Sequence, residues 1–296
     1  VDRFIRTNLI FSPHFNLLVA SKKASRVITF HDLSFLRFPK FFPPRKRYWH
    51  LSQDVKRQAR DATRLIAVSE FTKRDLVHYL EVPPEKIAVI HSGVNPRYHE
   101  LAPRDLGLLR FRAVKDLVRP FVLFVGTLEP RKNIAGAIRA FNILKQRPLY
   151  HDLEFVIAGR LGWLYDEVLK EIRASPYRRF IRLWGEATRQ ELVMLYNSAE
   201  VFCYPSFLEG FGFPPLEAQA CGTPVVAGEG GSLPEILSRS ALFADPARHE
   251  DIAEALHKVL SNEEEAARLR AAGFENVGRF SWERTGRETL SWLEKK

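Results

Sequence analysis

Cysteine is scarce in this 296-residue chain: there are two, Cys203 and Cys221, both in apolar context. Buried free thiols in a reducing cytosol suit them better than a disulfide. No Cys/His pair has ligand spacing, so no metal is expected. No stretch approaches the roughly 18 consecutive apolar residues of a membrane helix. No strand-like segment is followed by G-x-G-x-x-G, which disfavours a dinucleotide-dependent dehydrogenase. The opening VDRFIRTNLIF carries no secretory cleavage pattern and no initiator Met, and neither internal repeats nor low-complexity tracts follow.

What the chain does contain is an ordinary globular composition, 46% hydrophobic and 27% charged, at a length that fits two domains. Its net charge of +10 is concentrated at one end. Residues 1–60 hold 13 Lys/Arg against 3 Asp/Glu, whereas the remainder holds 32 of each.

Short apolar runs alternate with helical patterns. RVITF (26–30), RLIAV (64–68), KIAVI (86–90), FVLFVG (121–126), LEFVIAG (153–159), RFIRLW (179–184), VFCYP (201–205) and TPVVA (223–227) read as strands. Most are continuously apolar, as parallel strands covered on both faces should be. Helices are expected from Ser69 to about Leu80, from an Asn133 N-cap with a stripe of Ile134, Ile138, Phe141 and Leu144, and from Thr188 to about Ala199. The pattern predicts an α/β fold of doubly wound parallel sheets. The polar, strandless stretch 95–119 marks a division, which predicts domains over 1–104 and 105–279 and a final helix over 280–296.

PSFLEGFGFPPLEAQACGTPVV (205–226) places Glu209 and Glu217 around a Gly-rich turn at the end of a strand. Pro214 and Pro215 suit the first turn of a helix, and Gly222 its C′ position. The spacing puts Glu217 in the first helical turn. A helix N-terminus at the carboxyl edge of a parallel sheet is an anion site. Gly210 and Gly212 let backbone approach a ligand, and a carboxylate can accept two hydroxyl hydrogen bonds from a sugar diol. Phosphate beside hydroxyls describes a nucleotide sugar. The plainer alternative is that Glu217 complements the helix dipole and Glu209 is a solvated loop residue.

This segment resembles the E-x7-E signature of the retaining family 4 glycosyltransferases. FVLFVGTLEPRKNIAGAIRAF resembles their donor-phosphate loop, and VITFHDLSFL, LIAVSEFTKRDL, FVIAGRLGW and SLPEI follow in that family's order. FSWERTGRETLSWLEK resembles its C-terminal helix, which crosses back to the first domain. The resemblance implies a GT-B fold, two Rossmann-like domains facing across a cleft. It also implies metal-independent hexosyl transfer with retention, plausibly of mannose, from a nucleotide-diphosphate sugar. No cofactor beyond that donor is implied.

Residue by residue, the resemblance assigns Lys132 and a nearby arginine to the donor phosphates. Where the family often carries that arginine directly after the glycine, this chain has Thr127 after Gly126, and Arg131 is the expected substitute. Glu209 would contact the sugar hydroxyls and Glu217 the ribose. The backbone of Gly210, Phe211, Gly212 and Phe213 would meet sugar and phosphate, and the stretch from Leu183 to Glu186 the base. His31 would sit by the sugar ring or acceptor, with Asp32 orienting the turn. Trp184 fits a core position slightly better than the base site.

The segment 37–60 combines aromatics with Lys/Arg. It reads as a solvated helix over a core or as a peripheral contact with anionic membrane, where a glycan or lipid-linked acceptor would reside. No nucleic-acid motif accompanies it. The expected location is cytoplasmic, at the inner face of the membrane. Compared with the family, the units preceding LIFSPHFNLL are absent, so the first domain is expected to be incomplete. Two rival functions remain: a truncated, non-catalytic nucleotide-sugar-binding protein, and a GT-B sugar epimerase.

Overall fold

In a computed structural model, the structure of the protein is described for residues 8–16 and 24–295. The last two residues of LIFSPHFNLL, Leu17 and Leu18, lie outside the described residues. The chain forms two compact units. Unit 1 comprises 1–93, 209–211 and 280–296, and unit 2 comprises 94–208 and 212–279.

Unit 1 is built on a parallel sheet of β1 (Leu9–Ser12), β2 (Ser25–Phe30), β3 (Arg64–Ala67) and β4 (Ile87–Val89), in that spatial order. Val27, Ile66 and Ile90 are buried together, and Leu9, Ala88, Trp292 and Leu293 pack against them. The last two come from the helix Trp282–Glu294. Its Trp292 indole donates to Leu65 O at 3.1 Å, and its Thr285 hydroxyl to His91 O at 2.7 Å. The helix Glu70–Leu80 starts where Ser69 Oγ accepts from Thr72 N at 3.0 Å, a serine N-cap at the start expected for this helix.

Unit 2 holds β5 (Phe121–Val125), β6 (Glu154–Ala158), β7 (Ile181–Gly185), β8 (Val201–Tyr204), β9 (Val225–Gly228) and β10 (Leu242–Ala244). They form one parallel sheet in the order β10-β9-β8-β5-β6-β7. Every residue of β5, β8 and β9 is buried, which is why their sequences are unbroken apolar runs. The helix Arg189–Ser198 opens on a full capping box between Thr188 and Glu191.

Several expectations need correction. β1 and β10 were not foreseen: LIFS is half-exposed and LFA has three residues, so neither shows a long apolar run. The stretch 95–119 is strandless but contains the helix Leu106–Val114. Asn133 stands at the N-cap of the helix Ile134–Leu144 without capping it. Its φ is 54°, and its side-chain amide donates instead to Pro205 O and Pro246 O. Among the described residues, no helix is long and apolar enough to cross a membrane.

Candidate active site

In the sheet of unit 2 the order of strands reverses between β5 and β8: the chain proceeds outward through β6 and β7, then returns to add β8, β9 and β10 on the other side. Loops leaving adjacent strands at such a reversal point diverge and open a crevice at the carboxyl edge. The two loops here start with residues 126–133 and 205–208, within the two segments singled out in the sequence.

They are tied together. Phe207 N donates to Arg131 O at 2.9 Å, and the Arg131 guanidinium donates to Leu208 O at 2.9 Å. Arg131 also grips Glu129, at 2.8 Å, with side chains 15% and 4% exposed. Its charge is therefore engaged inside the protein. Lys132 is buried, and its ammonium donates to the Tyr204 hydroxyl at 2.5 Å and lies 4.9 Å from that ring's centre. Tyr204 closes β8, so the cation is held at the reversal point itself.

The floor beside it is nearly bare. Gly126 N donates to Ala158 O and Gly159 N to Gly185 O, so glycines directly follow β5 and β6 and one ends β7. Thr127 follows, half-buried, with its methyl packed toward Gly162. Leu183 on β7 is 42% exposed. Trp184 is only half-buried, against Phe111, with the cations of Arg182 and Lys115 over its ring, so it is not the core residue anticipated.

Across the crevice floor, Gly212 has φ 103°, a left-handed conformation that a side chain would strain, and it is the N-cap of the helix Phe213–Ala220. Phe213, half-buried, is the first helical residue, and Pro214 and Pro215 fill the first turn as expected. Because the helix begins at Phe213, Glu217 is in the second turn rather than the first. Its carboxylate accepts from the Tyr196 hydroxyl at 2.9 Å. Burial pushes the Glu217 carboxyl up from its ordinary value, and the hydroxyls of Tyr196 and Tyr98 only partly offset this. Neither tyrosine was singled out from sequence: they lie 21 and 119 residues from Glu217.

Glu209, Gly210 and Phe211 belong to unit 1. Gly210 O accepts from Ser69 Oγ at 2.7 Å and from Thr72 Oγ1 at 3.4 Å. The backbone of His31 lies against the Gly210 α-carbon, so a β-carbon there would collide with His31 O. Phe211 packs with His91 and Phe280, at 6.2 and 5.7 Å between ring centres. Glu209 is 6% exposed. His31 is exposed at the end of β2, its Nε2 within 3.0 Å of Pro13 O and its ring stacked 5.8 Å from His14. Asp32 accepts from Ser34 N and Ser34 Oγ, which orients the turn. The structure thus groups Gly126, Thr127, Arg131 and Lys132 with Gly212 and Phe213 in unit 2, and His31 with Gly210 in unit 1, while Leu183 lies two strands from the reversal point and Glu209 and Glu217 belong to different units.

Cys203 and Cys221 are free and buried, and burial pushes both thiols up to about 12, so they stay protonated at neutral pH. Among the described residues no group of three or more His, Cys, Asp or Glu could hold a metal ion.

The burial of Glu217 has a measurable consequence. A carboxyl whose folded value is raised supports folding fully below the unfolded value of 4.5 and loses that support as pH rises through the folded value. Glu217→Gln removes the titration while keeping an acceptor for Tyr196. The variant is expected to gain stability relative to the parent on going from about pH 4 to about pH 7, read from thermal unfolding. An identical offset at both pH values would contradict it.

A family profile described as "Glycosyl transferases group 1" matches residues 108–276, and one described as "Glycosyltransferase Family 4" matches residues 4–98. The chain is 29% identical over 281 residues to an O-antigen chain mannosyltransferase B of Escherichia coli, covering 94% of this chain and 72% of that protein. Other curated matches are longer, and the chain spans 29–30% of their length. Among solved structures, WaaG, a glycosyltransferase involved in lipopolysaccharide biosynthesis, superposes with a TM-score of 0.80 at 14% identity, covering 100% of this chain and 80% of that one. HepE from Anabaena, in complex with UDP and glucose, superposes with a TM-score of 0.78 at 18% identity, covering 97% and 77%.

Proposed function

The chain belongs to the group 1 glycosyl transferases, of the family 4 type with a GT-B fold, and from that premise we propose that it transfers a hexose, mannose by preference, from a nucleotide-diphosphate sugar to a glycan or lipid-linked acceptor with retention. The observation that carries this reading is the buried Lys132 ammonium fixed on Tyr204 at the strand-order reversal, where β8 leads on to the helix Phe213–Ala220. A desolvated cation and aligned amide dipoles stabilise the charge that grows on a departing diphosphate.

In this proposal Lys132 meets the diphosphate, and the amides of Gly212 and Phe213 assist. Arg131, held by Glu129 and Leu208 O, shapes the loop and adds its field at longer range. Gly126 and Thr127 form the floor, the base lies toward Leu183, and Glu217 reads the ribose. Glu209, with the backbone of Gly210 and Phe211, reads the sugar hydroxyls, and His31 faces the sugar or acceptor. The acceptor oxygen bonds to the anomeric carbon as that carbon's bond to the β-phosphate oxygen breaks. The acceptor proton passes to the leaving phosphate oxygen, so no enzymic base is required. Positioning and leaving-group stabilisation supply the acceleration.

Calorimetric titration with GDP, UDP and ADP tests the donor site. One of the three is expected to bind at least about tenfold more tightly than the other two. Failure of all three to bind at about 1 mM would remove the proposal. The anomeric configuration of the product, read by NMR, tests retention.

A further inference from the structure

Unit 1 carries a second concavity, an open cavity of about 440 Å³ whose walls are Phe35, Leu36, Pro39, Leu51, Val55 and Leu80. Its size lies within the range of small-ligand pockets, about 300–1,000 Å³. His50 adds to the apolar wall: its ring stacks on Phe35 at 4.2 Å with the planes 5° apart, and burial lowers its basicity. Arg47 and Lys56 also line the cavity.

The helix Pro44–Ser52 supplies Arg47, His50 and Leu51, and none of its residues is fully buried. It leaves Tyr48 75%, Trp49 42% and Leu51 74% exposed. Its sequence, PRKRYWHLS, has three adjacent cations and no acid. Over 37–60 there are eight Lys/Arg and one acidic residue, Asp54. Lys56 is paired with Glu81, whereas the Arg47 guanidinium is turned to the Phe42 carbonyl at 2.7 Å and keeps its net charge.

An apolar cavity beside a cationic helix with exposed aromatics matches one kind of molecule: a hydrocarbon chain ending in a negatively charged head. We propose that this cavity takes one acyl chain of an anionic membrane phospholipid, with the lipid phosphate held at the Arg45–Arg47 end of the helix. The site lies in unit 1, its residues take no part in the donor site, and the proposal does not depend on the transferase reading. It differs from a purely electrostatic surface contact because a chain enters the protein. Affinity then depends on apolar side chains as well as on charge, and the stoichiometry is one lipid per chain.

The test uses the full chain and short-chain phosphatidylglycerol below its micellar concentration, with tryptophan fluorescence as the readout. Saturable one-to-one binding is expected, with phosphatidylcholine of the same chain length at least about tenfold weaker and inorganic phosphate producing no change. Leu51→Glu, at an exposed position, places a carboxylate at the cavity wall and is expected to weaken phosphatidylglycerol binding at least about tenfold. Unchanged titration of nucleoside diphosphate, or an unchanged melting temperature, certifies that the variant is folded. Equal binding by Leu51→Glu and the parent, equal binding of the two lipids, or a response only above the micellar concentration would each overturn the proposal. A polyprenyl phosphate binding more than about tenfold tighter than phosphatidylglycerol would also overturn it, by assigning the cavity to the acceptor lipid.

Discussion

Gly210→Ala is expected to lower glycosyl transfer by about 10²-fold while leaving nucleoside diphosphate affinity within about threefold of the parent. The reason is steric. A β-carbon at Gly210 would meet the His31 carbonyl, Asp32 Cβ at 2.8 Å and His31 C at 2.9 Å, all of them backbone or backbone-adjacent atoms with no rotamer to escape into. The protein must move the Glu209–Phe211 tip, or shift the end of β2 that carries His31. Either response strains the bonds from Ser69 and Thr72 to Gly210 O. Overpacking of this kind costs about 1–3 kcal/mol, visible as a lower melting temperature. Glu209 and His31 are the residues proposed to meet sugar and acceptor, whereas the diphosphate contacts are proposed for Lys132, Gly212 and Phe213. The substitution should therefore separate kcat from nucleotide binding. A variant with parental melting and parental turnover would show that the tip has no such fixed seat.

How much of this was visible in the residues depends on range. FVLFV, EFVIA, VFCY and VVAG could be read as parallel strands because burial on both faces leaves no polar position to interrupt the run. The helix starts at Ser69 and Thr188 were legible because the cap that sets each is a contact across three residues. Asn133 misled for a related reason: its composition suits a cap, but partners 72 and 113 residues away claim its amide. The half-exposed LIFS and the three-residue LFA offered too little periodicity to register. At the candidate site, the motif loops and their phosphate-facing residue types could be read, since Gly, Pro, Lys and Glu each carry local meaning. The pairing of Arg131 with Glu129 stood two residues apart in EPR and was overlooked. Tyr196 beside Glu217, and Gly210 beneath His31, arise only once helices and strands from distant segments are packed.

Lys132→Met is expected to lower kcat/KM by about 10²–10³-fold and to weaken nucleoside diphosphate binding, with little change in stability. Methionine fills a similar volume and needs no counter-charge, so removing a buried ammonium relieves desolvation while losing the bond to the Tyr204 hydroxyl. Nothing opposes the loss of a desolvated cation from a diphosphate. Arg131→Met should behave in the opposite sense. Glu129, 4% exposed in its side chain, would be left buried without its cation, at a cost of about 3–5 kcal/mol. Its first effect should be a fall in melting temperature. Tyr204→Phe provides the intermediate case. It keeps the ring beneath the ammonium and removes the hydroxyl that holds it, so a loss of about tenfold in kcat/KM is expected from a cation that is present but less constrained. The order Lys132→Met, then Tyr204→Phe, in catalytic loss, with Arg131→Met largest in stability loss, follows from the proposed division of roles: Lys132 meets the diphosphate, and Arg131 is paired with the buried Glu129. Parental nucleotide affinity in Lys132→Met, or a larger catalytic than stability effect in Arg131→Met, would exchange the roles of the two side chains.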